Sequence, residues 1–129
     1  MLPDSIVEER VRIFGGDYIP PDMKVLLQLE DLIDRNFKEI KSCEFYAKEL
    51  SISLYRLNEI SKLYRNKTVY ELWQTRFFAE AEKLLKYTGL STKEIAFELN
   101  CCDQAYFSNC FKKWTGMSPR AFRKKINTK

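Results

Sequence analysis

Histidine is absent from the 129 residues, and the cysteines are Cys43, Cys101, Cys102 and Cys110. A mixed Cys/His metal knuckle is therefore excluded, and the adjacent Cys101-Cys102 pair suits neither a knuckle nor a CxxC redox motif. No glycine-rich phosphate loop occurs, and no serine sits in a strained elbow. The cysteines read as reduced packing residues. Only Cys101 and Cys102, near a helix start, have a route to a lowered pKa and a thiol switch. No enzyme, metal site or cofactor is expected. What remains is the chemistry of hydrogen bonds and charge. Amides and hydroxyls stand at Asn58, Gln104, Ser108 and Asn109, among the cations Arg56, Lys62, Lys112, Lys113, Arg120 and Arg123. An amide offers donor and acceptor side by side, and clustered cations suit a polyanion.

The charge distribution sharpens this. The net charge is +4, yet residues 1–40 hold nine acidic and five basic side chains, while residues 41–129 hold nine acidic and seventeen basic ones. From Lys112 onward there are seven Lys/Arg and no Asp or Glu. A polyanionic partner thus fits the last two thirds of the chain. No apolar run approaches the length of a membrane span. The start, MLPDSIVEER, lacks the basic and apolar regions of a secretory signal, so a cytoplasmic location is expected.

These side chains must be positioned by helices. Residues 1–21 hold the alternating segment EERVRIF and the turn GGDYIPP, read as a linker or remnant of an upstream domain. Asp22 is expected to cap a first helix over 22–38, with Val25, Leu26, Leu29, Leu32, Ile33 and Phe37 as its apolar stripe. Ser42 caps a second helix over 44–50. After the break SIS, Ser53 caps a third over 54–64, with Leu54, Leu57 and Ile60 inward. Thr68 with Glu71 forms a capping box opening a long helix over 69–87, and Gly89 stops it. Ser91 with Glu94 forms a second box, for a helix over 92–99. Asn100 occupies the following break, where a left-handed backbone is tolerated. Asp103 caps a helix over 104–114 with Phe107 and Phe111 inward, and Ser118-Pro119 opens a last helix over 119–126.

The chain also repeats itself. Shifted by fifty residues, Ser53 falls on Asp103, Leu57 on Phe107, Lys62 on Lys112, Tyr64 on Trp114, Asn66 on Gly116, Thr68 on Ser118 and Leu72 on Phe122. Before the break the shift is forty-nine, bringing Ala47 onto Ala96 and Leu50 onto Leu99. Each half reads helix, tight turn, cap, helix, polar break, cap, helix. Two helices joined by a short turn are the helix-turn-helix unit, whose second helix can enter a DNA major groove. Ala47 and Ala96 are small where the paired helices must cross closely. The fold expected is all-α, about seven helices. It has a first helix-turn-helix subdomain over 22–67, a connecting helix over 68–88 and a second subdomain over 89–129.

The segment EIAFELNCCDQAYFSNCFKKWTGMSPRAFRK resembles the signature region of the AraC/XylS family of bacterial transcription regulators. Glu94-Ile95-Ala96, Leu99, Asp103, Tyr106-Phe107-Ser108, Phe111-Lys112-Lys113, Gly116, Ser118-Pro119 and Phe122-Arg123 match, and the likeness spans about 22–127. Departures are Asn100 and Asn66 for glycine, and Cys101 for a core phenylalanine whose volume Phe97 is a candidate to replace. Others are Ala105 for serine, Asn109 for arginine, Ser61 for phenylalanine, and Phe77 where the family carries an arginine.

The resemblance implies sequence-specific binding of double-stranded DNA for transcription regulation, more often activation. It implies base contacts from Tyr55, Asn58 and Glu59, and the corresponding outward set on the later helix is Gln104, Ala105, Ser108 and Asn109. Asn58 is expected to pair bidentately with adenine and Glu59 to accept from a cytosine amine. Arg56, Lys62, Lys112, Lys113, Arg120 and Arg123 are expected at phosphates, which position the protein without naming a base. With Asn109 and Phe77 in place of arginines, the first unit is expected to read more strongly. Further implied are RNA polymerase as a partner, a homodimer formed through an upstream domain, and a nucleoid location. The competing reading is a helical protein-interaction domain whose basic surface docks an acidic partner. Salt-dependent, sequence-selective binding to a duplex separates the two.

Overall fold

The computed structural model describes residues 18–39, 42–101 and 103–127. The expectations for residues 1–17 and for Cys102 lie outside them. The described residues form seven helices: α1 Pro21–Asn36, α2 Cys43–Glu49, α3 Leu54–Arg65, α4 Val69–Tyr87, α5 Thr92–Glu98, α6 Gln104–Thr115 and α7 Pro119–Asn127. The fold is all-α, as expected.

Local chemistry sets the helix starts. Ser42 accepts from the Phe45 N–H at 3.3 Å, Ser53 from Arg56 at 3.1 Å and Ser118 from Ala121 at 3.1 Å. Asp103 Oδ1 accepts from Ala105 and Tyr106 at 2.9 and 3.3 Å. Each satisfies an amide that the helix leaves without an internal partner. α1 departs from expectation, because its cap is Pro20 and Asp22 lies inside the first turn. Pro20 has no side-chain acceptor, so no side-chain cap forms there, and Pro21 at the first helical position lacks the N–H that would go unpaired.

Both capping boxes close. The Thr68 N–H reaches Glu71 Oε1 at 2.9 Å while the Glu71 N–H reaches Thr68 Oγ1 at 3.1 Å. Ser91 and Glu94 repeat the pattern at 2.9 and 3.1 Å. The backbone N–H of Thr68, then its side chain, holds the Glu71 carboxyl below the ordinary glutamate range, and Ser91 does the same for Glu94. A carboxylate lowered by folding stabilises the fold above its unfolded value, about 4.3, and that stability is lost as pH falls through the lower folded value. Glu94→Gln is therefore expected to melt below wild type at neutral pH. The gap should narrow progressively as pH falls below the ordinary glutamate value, in melts recorded across pH. A constant gap would contradict the assignment.

The contacts divide the chain into two compact units. One comprises residues 18–37 and 42–73, the other 38–39 and 74–127. In the first, α1 packs on α3 and α2, and α2 packs on α3. Met23, Leu26, Leu27, Leu29, Ile33 and Phe37 bury against a core that includes Tyr46, Ala47, Leu57, Ile60 and Val69. Relative to the expected stripe, the buried face is turned toward Met23 and Leu27, leaving Val25 and Leu32 half-buried. Arg65 grips Glu30 of α1 with two bonds of 2.8 and 2.9 Å.

The second unit is built around aromatic rings. α5 packs on α6, and α6 on α7. Phe107 and Phe111 sit 6.1 Å apart between centroids, Phe111 meets Phe122 edge-on at 5.4 Å, and Phe78 stacks on Trp114 at 5.3 Å. Phe77, aligned from sequence with a DNA-contacting arginine, is instead a core residue edge-on to Phe78 and Phe107.

The same left-handed return follows α2 and α5, and the second turn is one residue longer in sequence. After α2 the N–H of Ile52 returns to Ala47 O at 3.1 Å, and after α5 that of Cys101 returns to Ala96 O at 2.7 Å. Ser51 and Asn100 hold the left-handed conformation these turns need, at φ 54° and 60°. After α3 and α6, Asn66 at φ 57° and Gly116 at φ 89° do the same, their N–H groups returning to Lys62 O and Lys112 O. Ala47 and Ala96 are both buried at the helix crossings. A larger side chain there would force the pairs apart.

Candidate nucleic-acid interface

In each unit the helix after the turn has one apolar face and one polar face. On α3, Leu57, Ile60 and Ser61 are buried while Tyr55, Arg56, Glu59 and Lys62 are exposed. Tyr55 keeps 77% of its surface accessible. On α6, Phe107 and Phe111 are buried while Gln104, Ala105, Asn109, Lys112 and Lys113 are exposed and Ser108 is half-buried. No acidic side chain lies within α6, whereas α3 contains Glu59. Arg120 on α7 is exposed, with Lys124 and Lys125.

Three expected contacts are already engaged within the fold. The Val69 N–H donates to Asn58 Oδ1 at 2.9 Å, so the Asn58 carbonyl caps α4 and the side chain is half-buried. A bidentate pair with adenine needs both amide atoms presented together; here one is taken. Arg56 Nη2 donates to Asp22 Oδ2 at 2.8 Å, and its Nη1 lies 3.5 Å from Glu59 Oε1. Arg123, expected at a phosphate, instead donates from Nε to Leu85 O and from Nη2 to Thr88 O, each at 3.1 Å. Its charge sits where the C-terminal carbonyls of α4 carry partial negative charge.

The repeat explains why Asn58 is needed. Fifty residues on, its counterpart is Ser108 and the counterpart of Val69 is Pro119, which has no N–H to cap. Asn58→Ala is therefore expected to cost about 0.5–2 kcal/mol, the usual loss for a removed cap, whereas Ser108→Ala should be near neutral in denaturant melts. Equal losses would contradict this. Ser61 is explained likewise. Wholly buried, it donates to Lys67 O and so satisfies the carbonyl after α3, as Thr115 donates to Met117 O in the second unit.

Two side chains fall outside the expected set. Tyr106, exposed by 64%, stands fifty residues from Arg56 and therefore takes the same place on α6. Register within the repeat was the signal for it. Phe97, offered as filler for the volume lost at Cys101, is instead 81% exposed, and Cys101 is half-buried. Among the described residues no group of three or more Cys, Asp or Glu is placed to hold a metal, and no helix is long and apolar enough to cross a membrane.

Comparison with known proteins gives the kinship. A family model described as a helix-turn-helix domain matches residues 46–125. The chain belongs to this family. It is 30% identical over 103 residues to the bifunctional transcriptional activator/DNA repair enzyme AdaA of Bacillus subtilis (strain 168), covering 80% of this chain and 49% of that protein. The chain thus spans about half the length of that relative. Among solved structures, the C-terminal domain of AraT, a response regulator from Geobacillus stearothermophilus, superposes with a TM-score of 0.73 at 27% identity, covering 78% of this chain and 84% of that one. The DNA-binding domain of AdpA, a global transcriptional factor solved with a target DNA, gives 0.68 at 18% identity over 83% and 93% of the two chains. At that identity the likeness is one of fold.

Proposed function

We propose that this helix-turn-helix domain binds double-stranded DNA in a sequence-specific way as part of a transcription regulator of the AraC/XylS type. One observation carries the reading: both units present, directly after the same left-handed turn, a helix with a buried apolar face and an exposed polar one. That is the placement by which a second helix enters the major groove. Tyr55 and Glu59 read from α3, and Gln104, Ala105, Ser108 and Asn109 read from α6. The Gln104 amide suits adenine, Glu59 suits the cytosine amine, and Ala105 suits a thymine methyl. Lys62, Lys112, Lys113 and Arg120 neutralise phosphates.

The sequence argued that the first unit reads more strongly. The hydrogen bonds favour the second unit instead. Asn58 and Arg56 are committed inside the first unit, while the outer face of α6 is wholly without acidic groups. Activation, contact with RNA polymerase, a homodimer formed through an upstream domain and residence at the nucleoid complete the proposal, each resting on the family likeness of the signature segment.

The test is a titration of the full chain against a labelled duplex across salt concentrations. With Lys62, Lys112, Lys113 and Arg120 at phosphates, log K should fall linearly with log salt with a slope of about −0.9 per phosphate neutralised. Absence of duplex binding, or binding indifferent to salt, would overturn the reading and leave the acidic-protein partner as its successor.

A further inference from the structure

We propose that Asp22 acts as an intramolecular stand-in for a DNA phosphate, holding the Arg56 guanidinium and so restraining the chain's sequence-independent affinity. The inference rests on the DNA reading given above. Arg56 lies in the first turn of α3 beside Tyr55 and Glu59, on the exposed face of the reading helix. A guanidinium there is the side chain best shaped to grip a phosphate, because its planar fork donates two parallel bonds. Both arms of the fork already face carboxylates. Nη2 lies 2.8 Å from Asp22 Oδ2 and Nη1 lies 3.5 Å from Glu59 Oε1.

Asp22 does not cap α1, and its carboxylate contributes to the fold only through the first turn and this one pair. The Pro20-Pro21 start sets the beginning of α1 without a side-chain cap. α1 is fastened to α3 by the half-buried Arg65–Glu30 pair and by the buried residues Leu26, Leu29 and Leu57. The Asp22–Arg56 pair itself stays open to solvent, with side chains 36% and 46% exposed. Such exposed pairs shift an equilibrium by a factor of about 1.5 to 5. The contact therefore acts as a graded brake: a duplex can displace it, at a modest loss of affinity. At the equivalent place in the second unit stands Tyr106, which carries no guanidinium for a carboxylate to hold.

The test is a double-mutant cycle on the full chain with Asp22→Asn, Arg56→Gln and the pair combined, each checked by circular dichroism to be folded at the assay temperature. A small drop in melting temperature is expected wherever the pair is lost, so every variant is compared well below its own melt, and a labelled duplex of random sequence is titrated by fluorescence anisotropy between about 50 and 200 mM salt. Asp22→Asn should bind about two- to fivefold more tightly at the low-salt end, with a log–log slope steeper by up to about 0.9. In the Arg56→Gln background the same substitution should change neither quantity. An undiminished gain in that background would mean only that a negative charge had been removed, and would overturn the proposal. Unchanged or weaker binding by Asp22→Asn would overturn it too. If wild type binds no duplex, the DNA reading itself fails; if wild type binds and Asp22→Asn does not differ, the inference alone fails.

Discussion

Phe111→Ala is expected to destabilise the second unit by about 3–5 kcal/mol, the range for removing a fully buried aromatic ring. Phe111 is wholly buried and touches Phe78, Phe107 and Phe122, so its loss opens a cavity lined by three rings from three helices. Those rings cannot all collapse inward without leaving their rotamers. A domain of this size holds only about 5–15 kcal/mol in total. Native-state hydrogen exchange should therefore lose protection in α5–α7 while the α1 and α3 amides keep theirs, since they belong to the other compact unit. Equal loss of protection throughout both units would show that they unfold as one. The pairing of position 111 with Ser61 in the repeat adds a contrast. Ser61 satisfies a carbonyl instead of filling volume, so the two equivalent places are held by different physics.

Gln104→Ala is expected to weaken binding to the preferred duplex by about 1–3 kcal/mol and to relax selection at one base pair, the signature of a lost bidentate base contact. Gln104 is the first residue of α6, exposed, and follows the Asp103 cap that fixes the helix start. Lys113→Ala should behave differently. It should weaken preferred and random duplexes alike and reduce the salt slope by about 0.9, because a phosphate contact carries no sequence information. Competition titrations with single-base variants of the preferred duplex distinguish the two patterns. If Gln104→Ala lowered affinity uniformly over all variants, the residue would be a positioning contact and the base-reading role of α6 would fall on its neighbours.

The order of legibility in this sequence follows the range of the forces involved. Ser53, Thr68, Ser91 and Asp103 announce helix starts because a cap acts within three residues of itself, and each forms its bond. The turns after α2 and α5 were readable from the break SIS, from Asn100 and from the repeat that sets Ala47 on Ala96, two small residues that fit a close helix crossing. What could not be read were polar contacts between helices distant in sequence. Arg56 with Asp22, Asn58 with Val69, and Arg123 with Leu85 and Thr88 join α3 to α1, α3 to α4, and α7 to the end of α4. On a helical wheel each of these is an ordinary outward polar residue. Only the packing geometry decides whether an orphan N–H, carbonyl or carboxylate lies within reach. Phe97 failed for the converse reason: apolar chemistry suggested burial, but α5 is seven residues long and Ile95 and Ala96 define its buried face.

The most direct measurement is a selection of bound duplexes from a random pool by the full chain, carried out at two salt concentrations. Reading by α3 and α6 predicts an enriched sequence that persists at the higher salt while total binding falls, with part of the enrichment erased by Gln104→Ala. A bound pool with the base composition of the input at both salts would contradict the account, leaving these exposed helices as a charged surface without sequence discrimination.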